Sequence, residues 1–190
     1  DAELTEYINE SVEEAAERAL CILDSLTDSV CLIPLVDDTR HYAVHTSILS
    51  ILSVQPSWQD CPLPEMVMPV GWLSDTGLPQ GYTLNYSGGF LSLDRAPVSV
   101  TTESLRLTVQ RLPVSDLSED DDVQEIPAGY HRSLINGVLA KAYSKQDGEV
   151  YNPKKALSHK EAWELRLAEM VRRESRTKRR KTVARAVEMS

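Results

Sequence analysis

The chain has 190 residues, of which 42% are hydrophobic and 26% are charged, a composition typical of globular proteins that excludes disorder throughout its length. The formal net charge of −9 conceals a division, because residues 1–125 hold 22 acids and 5 bases whereas residues 126–190 hold 7 acids and 15 bases. This division predicts a protein that presents different faces to different partners.

No apolar stretch approaches the roughly 20 residues of a membrane-spanning helix, so no membrane association is expected. The acidic N-terminus does not resemble a secretory signal, which begins basic and then turns apolar. A chain that begins at Asp1 without methionine is expected to lack some native residues. Three cysteines without a Cys-x-x-Cys pair favour neither a disulfide framework nor a zinc ribbon, and indicate a reducing compartment.

Residues 1–28 are predicted to form an N-terminal amphipathic helix. Apolar side chains recur there at spacings of three and four, as an α-helical face requires. They are Leu4, Tyr7, Ile8, Val12, Ala15, Ala19 and Ile22. Glutamates lie between them, so the outer face of this helix is expected to be acidic.

Residues 29–114 are predicted to form an antiparallel β region, because short alternating or β-branched runs replace the helical period. The runs cover residues 30–35, 42–44, 48–54, 82–86, 90–93 and 105–109. Ser87-Gly88-Gly89 supplies glycines for a tight hairpin, and Pro113 stops the last strand.

Residues 115–126 form an acidic segment that we interpret as a solvated linker. The segment contains few apolar side chains that could be buried in a core. The alternative is a specific role in binding a basic partner or a metal, but the spacing and glycine of a calcium loop are absent.

Residues 127–171 are predicted to form two helices that pack on the N-terminal helix. The residues expected to carry this packing are Leu134, Val138, Tyr143, Trp163 and Leu167. Asn152 and Pro153 suit the N-cap and the first position of the second helix. If that helix continues to Arg185 it is roughly 50 Å long, so its end is expected to project.

Residues 172–190 form a basic extension in which Glu174 interrupts eight cations. These are Arg172, Arg173, Arg176, Lys178, Arg179, Arg180, Lys181 and Arg185. Nucleic acid is one possible target, although no aromatic side chain lies among the cations and the rest of the chain is acidic. An acidic protein surface fits better, and a solvated, frayed end is the remaining interpretation. The complete pattern predicts an α+β fold that ends in a helical hairpin with a long projecting basic helix.

The chain offers little to an enzyme or a metal site. Cys31, His41, His45 and Cys61 have a spacing that matches no compact zinc motif, and Ser87-Gly88-Gly89 lacks the pattern of a nucleophile elbow. We therefore predict no catalytic, cofactor or metal residues.

Two further histidines, His131 and His159, lie beside helical core positions. A hydrogen-bonded structural role is expected for both.

Several short motifs follow one another in a recognisable order. They are Trp72, Asp75-Thr76-Gly77-Leu78-Pro79, Tyr82, Leu105 to Pro113, Ile126-Pro127, Tyr130-His131, Leu134, Ala142-Tyr143, Lys145-Gln146-Asp147, Glu149, Tyr151-Asn152-Pro153 and Lys155-Ala156. This order resembles the C-terminal half of the head-tail adaptor (connector) proteins of tailed bacteriophages. The resemblance covers most of residues 4 to 171.

The resemblance implies a structural virion protein that forms a ring, commonly dodecameric, in the neck between capsid and tail. Such a ring sits below the portal protein, joins it to a tail nozzle or tail tube protein, and lets genomic DNA pass without sequence-specific binding. The protein would be made in the cytoplasm of the bacterial host. In this context we expect the eight cations of residues 172–185 to bind the portal.

Two alternatives to the portal adaptor stay open. One is a nucleic-acid-binding regulator that uses the basic extension as its contact. The other is a different neck or tail-completion protein of the same particle, with similar architecture and another neighbour.

Overall fold

The computed structural model describes residues 2–66, 75–85, 88–98, 102–118, 125–146 and 150–188, with side chains described as far as Arg176. It contains 41% helix and 24% strand, with the strands in antiparallel sheets, so the predicted α+β class is confirmed. The chain divides into two compact units. Residues 1–22 and 112–190 form a helical unit, and residues 23–111 form a β unit.

Within its described residues, the helical unit contains three long helices and one short turn of 3₁₀ helix. These are α1 (Ala2–Ala19), the 3₁₀ turn Ala128–Tyr130, α3 (His131–Ser144) and α4 (Pro153–Glu188). Its core is a single cluster of buried side chains. The largest members are Ile22, Ile126, Tyr130, Leu134, Trp163, Leu167 and Met170, and the small alanines of α1 pack among them.

Helix α1 is shorter than the 28 residues predicted for it. It ends at Ala19, and the next residue, Leu20, has a φ of 51° in the left-handed region, which cannot continue a right-handed helix. Asp24 then forms a local turn, since its Oδ1 accepts hydrogen bonds from the backbone amides of Leu26 and Thr27 at 2.9 and 3.1 Å.

Helix α4 begins as its sequence predicts. The Asn152 side chain accepts a hydrogen bond from the Lys155 amide at 3.1 Å, and Pro153 is the first helical residue. The helix has 36 residues, so it is about 54 Å long and reaches past Arg185. Ile135 of α3 and Val171 of α4 are exposed, so they lie outside the packed faces of these helices.

The β unit is built on two antiparallel sheets whose inner faces form its own core. In the larger sheet β7 (Ser104–Arg111) pairs with β4 (Ile48–Pro56), β1 (Leu23–Asp24) and β2 (Leu32–Pro34). Leu105, Leu107 and Val109 of β7 are fully buried, so the predicted alternation of this strand is confirmed.

The smaller sheet has the order β3 (His41–Ala43), β6 (Phe90–Leu93) and β5 (Tyr82–Asn85). Strands β5 and β6 form the predicted hairpin, with Asn85 opposite Phe90. Gly89 has a φ of 66°, as the turn requires, whereas Ser87 lies outside the described residues.

One predicted strand begins as a helix. Residues 30–35 were expected to be extended, but α2 (Asp28–Cys31) forms one helical turn before β2. The Thr27 carbonyl accepts hydrogen bonds from the Val30 and Cys31 amides at 3.0 and 2.7 Å, which explains the turn. One helical turn therefore interrupts the β-branched run before β2 begins.

The acidic segment lies only partly within the described residues, which omit 119–124. Its first part is held against α1, because the Asn9 side chain donates to the Leu117 carbonyl at 3.1 Å and accepts from the Leu117 amide at 2.9 Å.

Candidate docking surface

The three long helices of the helical unit are in close contact at Gly137. A Cβ atom added there would lie 2.9 Å from the Ser11 Oγ of α1 and 3.1 Å from the Trp163 Cε2 of α4. The Ser11 hydroxyl is itself fixed, because it donates to the Tyr7 carbonyl at 2.7 Å. Only glycine lets α3 fit against both neighbours, so this position sets the separation of the helices.

The residues predicted to carry the helical packing differ in burial. Leu134, Val138, Trp163 and Leu167 have at most 7% of their surface exposed. Tyr143 is half-buried and stacks on His159, with ring centroids 5.7 Å apart. It therefore packs at the edge of the α3–α4 contact.

Both helical histidines make the contacts expected of structural residues. The His131 Nε2 lies 2.8 Å from the Ile126 carbonyl oxygen, and His159 lies 3.3 Å from the Asn136 Oδ1 in addition to stacking on Tyr143.

Charged contacts tie α1 to α4. Arg18 of α1 binds Glu14 at 2.9 Å and Glu164 of α4 at 2.6 Å, and the Trp163 Nε1 donates to Glu14 at 2.9 Å. The hydrogen bond from Arg18 lowers the pKa of Glu164 below its ordinary value. These carboxylates already have partners within the helical unit.

Two lysines of the α3 region bind the other acids of α1. Lys141 binds Glu10 at 2.6 Å, and Lys145 binds Glu3, whose pKa the Lys145 hydrogen bond lowers. The acidic face of α1 is thus partly used to hold the helices together.

A groove of about 530 Å³ opens beside these contacts. Gly137 and Trp163 contribute to its lining, together with the exposed side chains of Tyr151 and Leu157. The Ser144 hydroxyl in the lining donates to the Lys141 carbonyl and is not poised as a nucleophile. The lining also contains Glu14, Lys141, Lys160 and Glu164, of which Glu14, Lys141 and Glu164 form ion pairs within the helical unit.

The first residues of the basic extension lie in a part of α4 that packs on the helical core. Tyr130 is buried and donates a hydrogen bond from its hydroxyl to Glu174 at 2.6 Å. Burial, and then the bond to Glu174, raise the pKa of Tyr130 well above its ordinary value. The Arg173 guanidinium lies over the Tyr130 ring, 5.3 Å from its centroid. One of the eight cations, Arg173, and the acid that interrupts them, Glu174, therefore contact the core of the helical unit.

The remaining described cations of the run face water. Arg172 and Arg176 are exposed, and neither has a hydrogen-bond or ion-pair partner within the described part of the chain. For Lys178, Arg179, Arg180, Lys181 and Arg185 the backbone is helical, and their side chains lie outside the described residues. The eight predicted cations therefore differ in their contacts. Arg173 packs on the Tyr130 ring, whereas Arg172 and Arg176 are exposed to solvent.

The β unit carries the opposite charge, with nine acids and four bases among residues 23–111. All four arginines are engaged within the unit. Arg111 binds Asp24 at 2.7 Å, Arg106 binds Asp28 at 3.0 Å, Arg95 lies 3.7 Å from Asp94, and Arg40 donates to the carbonyls of Asp75 and Asp94. The surface of this unit is consequently anionic.

The cysteine and histidine side chains considered for a metal site have other contacts. His41 hydrogen bonds Ser92 at 2.7 Å and His45 hydrogen bonds Ser47 at 2.8 Å. Cys31 is fully buried, which raises its pKa to about 11, whereas Cys61 is exposed. Among the described residues no three metal-binding side chains converge.

Sequence reasoning missed the contacts that organise these surfaces. The Gly137–Ser11 approach, the Tyr130–Glu174 bond and the Asp24–Arg111 pair each join distant parts of the sequence. For the Tyr130–Glu174 bond, the one available signal in the sequence was an isolated glutamate within a run of cations.

The family model described as SU10 adaptor protein matches residues 1–186, and it confirms the resemblance to phage head-tail adaptors. A comparison with curated proteins finds no match. Neither α1 nor α4, as far as they are described, combines the length and apolar character that crossing a bilayer requires.

Proposed function

Because the chain belongs to the SU10 adaptor protein family, a family of phage structural adaptors and not of enzymes, we propose that it forms a ring joining the portal to the tail. The ring would lie in the neck of the virion, with the portal on one side and a tail nozzle or tube protein on the other. Dodecameric stoichiometry is part of this proposal.

The observation that carries the proposal is the segregation of free charge. The β unit has an excess of acids and all its arginines are engaged, while the outer cations of α4 have no partner among the described residues. An adaptor needs surfaces of this kind, because it must bind unlike neighbours without binding copies of itself at random. The C-terminal helix is then the element that docks on the portal.

Avidity explains how exposed charges suffice for this contact. A single exposed ion pair contributes only about 0.2 to 1 kcal/mol, so one helix end would hold a partner weakly. The same contact repeated around a closed ring gains from effective concentration. Subunits would thus remain separate in solution and become fixed when the ring forms on the portal.

The anionic β unit supports passage of genomic DNA without adhesion. Phosphates are repelled by a surface with excess carboxylates, and no lysine occurs among residues 23–111 to neutralise them. We assign no sequence-specific nucleic-acid contact to this unit.

The first test is truncation after Arg176, which removes residues 177–190 but spares Met170 and Glu174, the last packed positions among the described side chains of α4. The shortened chain should keep its circular dichroism spectrum and thermal midpoint but fail to join DNA-filled, portal-bearing heads. Normal joining by the truncated chain would refute docking through this segment.

A reconstruction of the complete particle tests the location itself. We expect density for this chain between portal and tail. Density at the tail tip, or absence of the chain from the particle, would contradict the proposal and favour a different neck protein or the DNA-binding regulator.

A further inference from the structure

The two sides of α4 differ in burial along its described part. Trp163, Leu167, Met170 and Glu174 follow one another at spacings of four, three and four, and they face the helical core. Leu165, Arg172 and Arg176 have spacings of seven and four and lie on the opposite side, which we call the outer face.

The outer face combines an apolar side chain with cations. Leu165 has 69% of its surface exposed, the largest exposed fraction of any large apolar side chain in the described part of the helical unit. Arg172 and Arg176 are exposed beside it and have no partner among the described residues. The nearby Glu169 does not neutralise them, because it binds Arg166 at 2.8 Å.

The direction of this face is fixed by the contact opposite Arg172 and Arg176. Tyr130 binds Glu174 at 2.6 Å while Arg173 covers the Tyr130 ring. Rotation of α4 about its axis would break both contacts, so they act as a clasp that positions the outer face. Glu174 is therefore an anchor of the helix and not part of the cationic surface.

We infer that the outer face binds a protein partner that presents carboxylates around an apolar recess. Guanidinium groups pair with carboxylates in bidentate geometry, and an exposed leucine flanked by arginines suits a recess rimmed by acids. Duplex DNA would use the two arginines but would leave Leu165 exposed, since phosphates offer it nothing to bury against. This inference rests on the proposed docking role of α4 but does not require that the partner be the portal.

The test places a photo-reactive phenylalanine analogue at Leu165 in complete particles, with the same analogue at Arg166 as the control. The control position lies about 100° around the helix from the outer face. We expect a cross-link from position 165 to an acidic segment of a neighbouring neck protein, and a weaker one from position 166.

The identity of the cross-linked protein separates this inference from the proposed function. A cross-link to the portal supports both, and one to another neck protein supports the outer face while contradicting portal docking. A cross-link to DNA or to a second copy of this chain, or equal yields from both positions, would overturn the inference.

Matched variants provide a second readout. Joining of purified heads should be roughly tenfold slower for the double variant Arg172→Ala and Arg176→Ala, whereas Arg132→Ala, at an exposed arginine of α3, should join at nearly the original rate. Leu165→Ser should also slow joining, because the apolar contact is lost. Equal effects of the outer-face and Arg132 variants would show that only net charge matters and would contradict the inference.

The clasp has its own measurement. Tyr130→Phe should speed amide exchange across residues 172–180 and slow joining, while the double arginine variant should slow joining without changing exchange. Unchanged exchange in Tyr130→Phe would refute the positioning role of Tyr130 and Glu174.

Discussion

Asp24 and Arg111 form an ion pair that is almost completely shielded from water, with 8% of each side chain exposed. Burial alone would raise the pKa of Asp24, but hydrogen bonds from Thr27, the Leu26 amide and Arg111 outweigh it and lower the pKa well below its ordinary value. The pair joins β1 to the end of β7, and the remaining oxygen of Asp24 caps the turn that follows. One carboxylate therefore organises the first turn of the β unit.

Replacement of Asp24 by Asn should destabilise the chain by roughly 3 kcal/mol at pH 7, because the substitution removes the buried carboxylate that Arg111 binds. The control is Asp28→Asn, whose pair with Arg106 is exposed and should contribute at most about 1 kcal/mol. Urea unfolding of the full chain measures both. Equal losses of unfolding free energy in the two variants would show that the buried pair stabilises the chain no more than the exposed pair.

The lowered pKa of Asp24 predicts that the stability of the chain depends on pH. Since the pKa of Asp24 is lower in the folded chain than in the unfolded chain, its stabilisation is complete above about pH 4 to 5 and is lost as the pH falls through the folded value. The original chain should lose stability on acidification more steeply than Asp24→Asn. Parallel curves for the two proteins would contradict the assignment.

At the scale of elements, the separation of α1, α3 and α4 depends on one missing methyl group at Gly137. Gly137→Ala gains about 1 kcal/mol of helix propensity but forces Ser11 or Trp163 to move, and such overpacking costs about 1 to 3 kcal/mol. We expect net destabilisation of roughly 1 kcal/mol, because moving Ser11 also strains its bond to the Tyr7 carbonyl.

Two variants check this explanation for Gly137. Combining Gly137→Ala with Ser11→Gly should recover part of the loss, since it removes the nearest atoms. Gly129→Ala should be close to neutral, because its nearest neighbour is the flexible end of Arg173 at 3.5 Å. Thermal unfolding distinguishes these outcomes, and a destabilised Gly129→Ala would point to a general effect of the substitution.

Element types were largely predictable because they depend on local patterns. The alternation of β7, the limits of Phe90–Leu93 and the capped start of α4 all follow from neighbouring residues. Asp28–Cys31 was not predictable from the run of β-branched residues, because the Thr27 carbonyl organises a helical turn there. The contacts of the docking surface were hidden for another reason: Tyr130 and Glu174 are 44 residues apart, and no period relates them.

The basic extension shows the same limit within a single helix. Eight cations were predicted to act together, yet packing commits Arg173 to the Tyr130 ring and leaves Arg172 and Arg176 outward. A helical period predicts which residues share a side, but it does not reveal where the packed part of the helix stops. The sequence of α4 alone does not show that Arg173 and Glu174 contact Tyr130 of the 3₁₀ turn.

At the scale of the whole molecule, the two cores are separate clusters, and each contains a buried thiol. Cys21 belongs to the helical core and Cys31 to the β core, and burial raises the pKa of each to about 11. Cys61 is exposed and should react at once with a thiol reagent. Protection of the other two cysteines therefore reports on the opening of each unit.

We expect Gly137→Ala to reduce the protection of Cys21 more than that of Cys31, and Asp24→Asn to do the reverse. The reason is that each substitution weakens the packing of one core only. Labelling in increasing urea followed by mass spectrometry measures the two thiols separately. Identical shifts of both thiols in both variants would show that the chain opens as one cooperative unit.

The Trp163–Glu14 hydrogen bond spans 149 positions of the chain and has a consequence for the order of events during synthesis. Helix α1 is translated before the β unit, and the residues of α3 and α4 that cover it are translated after the β unit. The helical unit cannot close before α4 has been synthesised, and the outer face of α4 acquires its fixed direction only then. A nascent chain that stops short of α4 is thereby kept from competing for the particle, since it lacks the surface that docks.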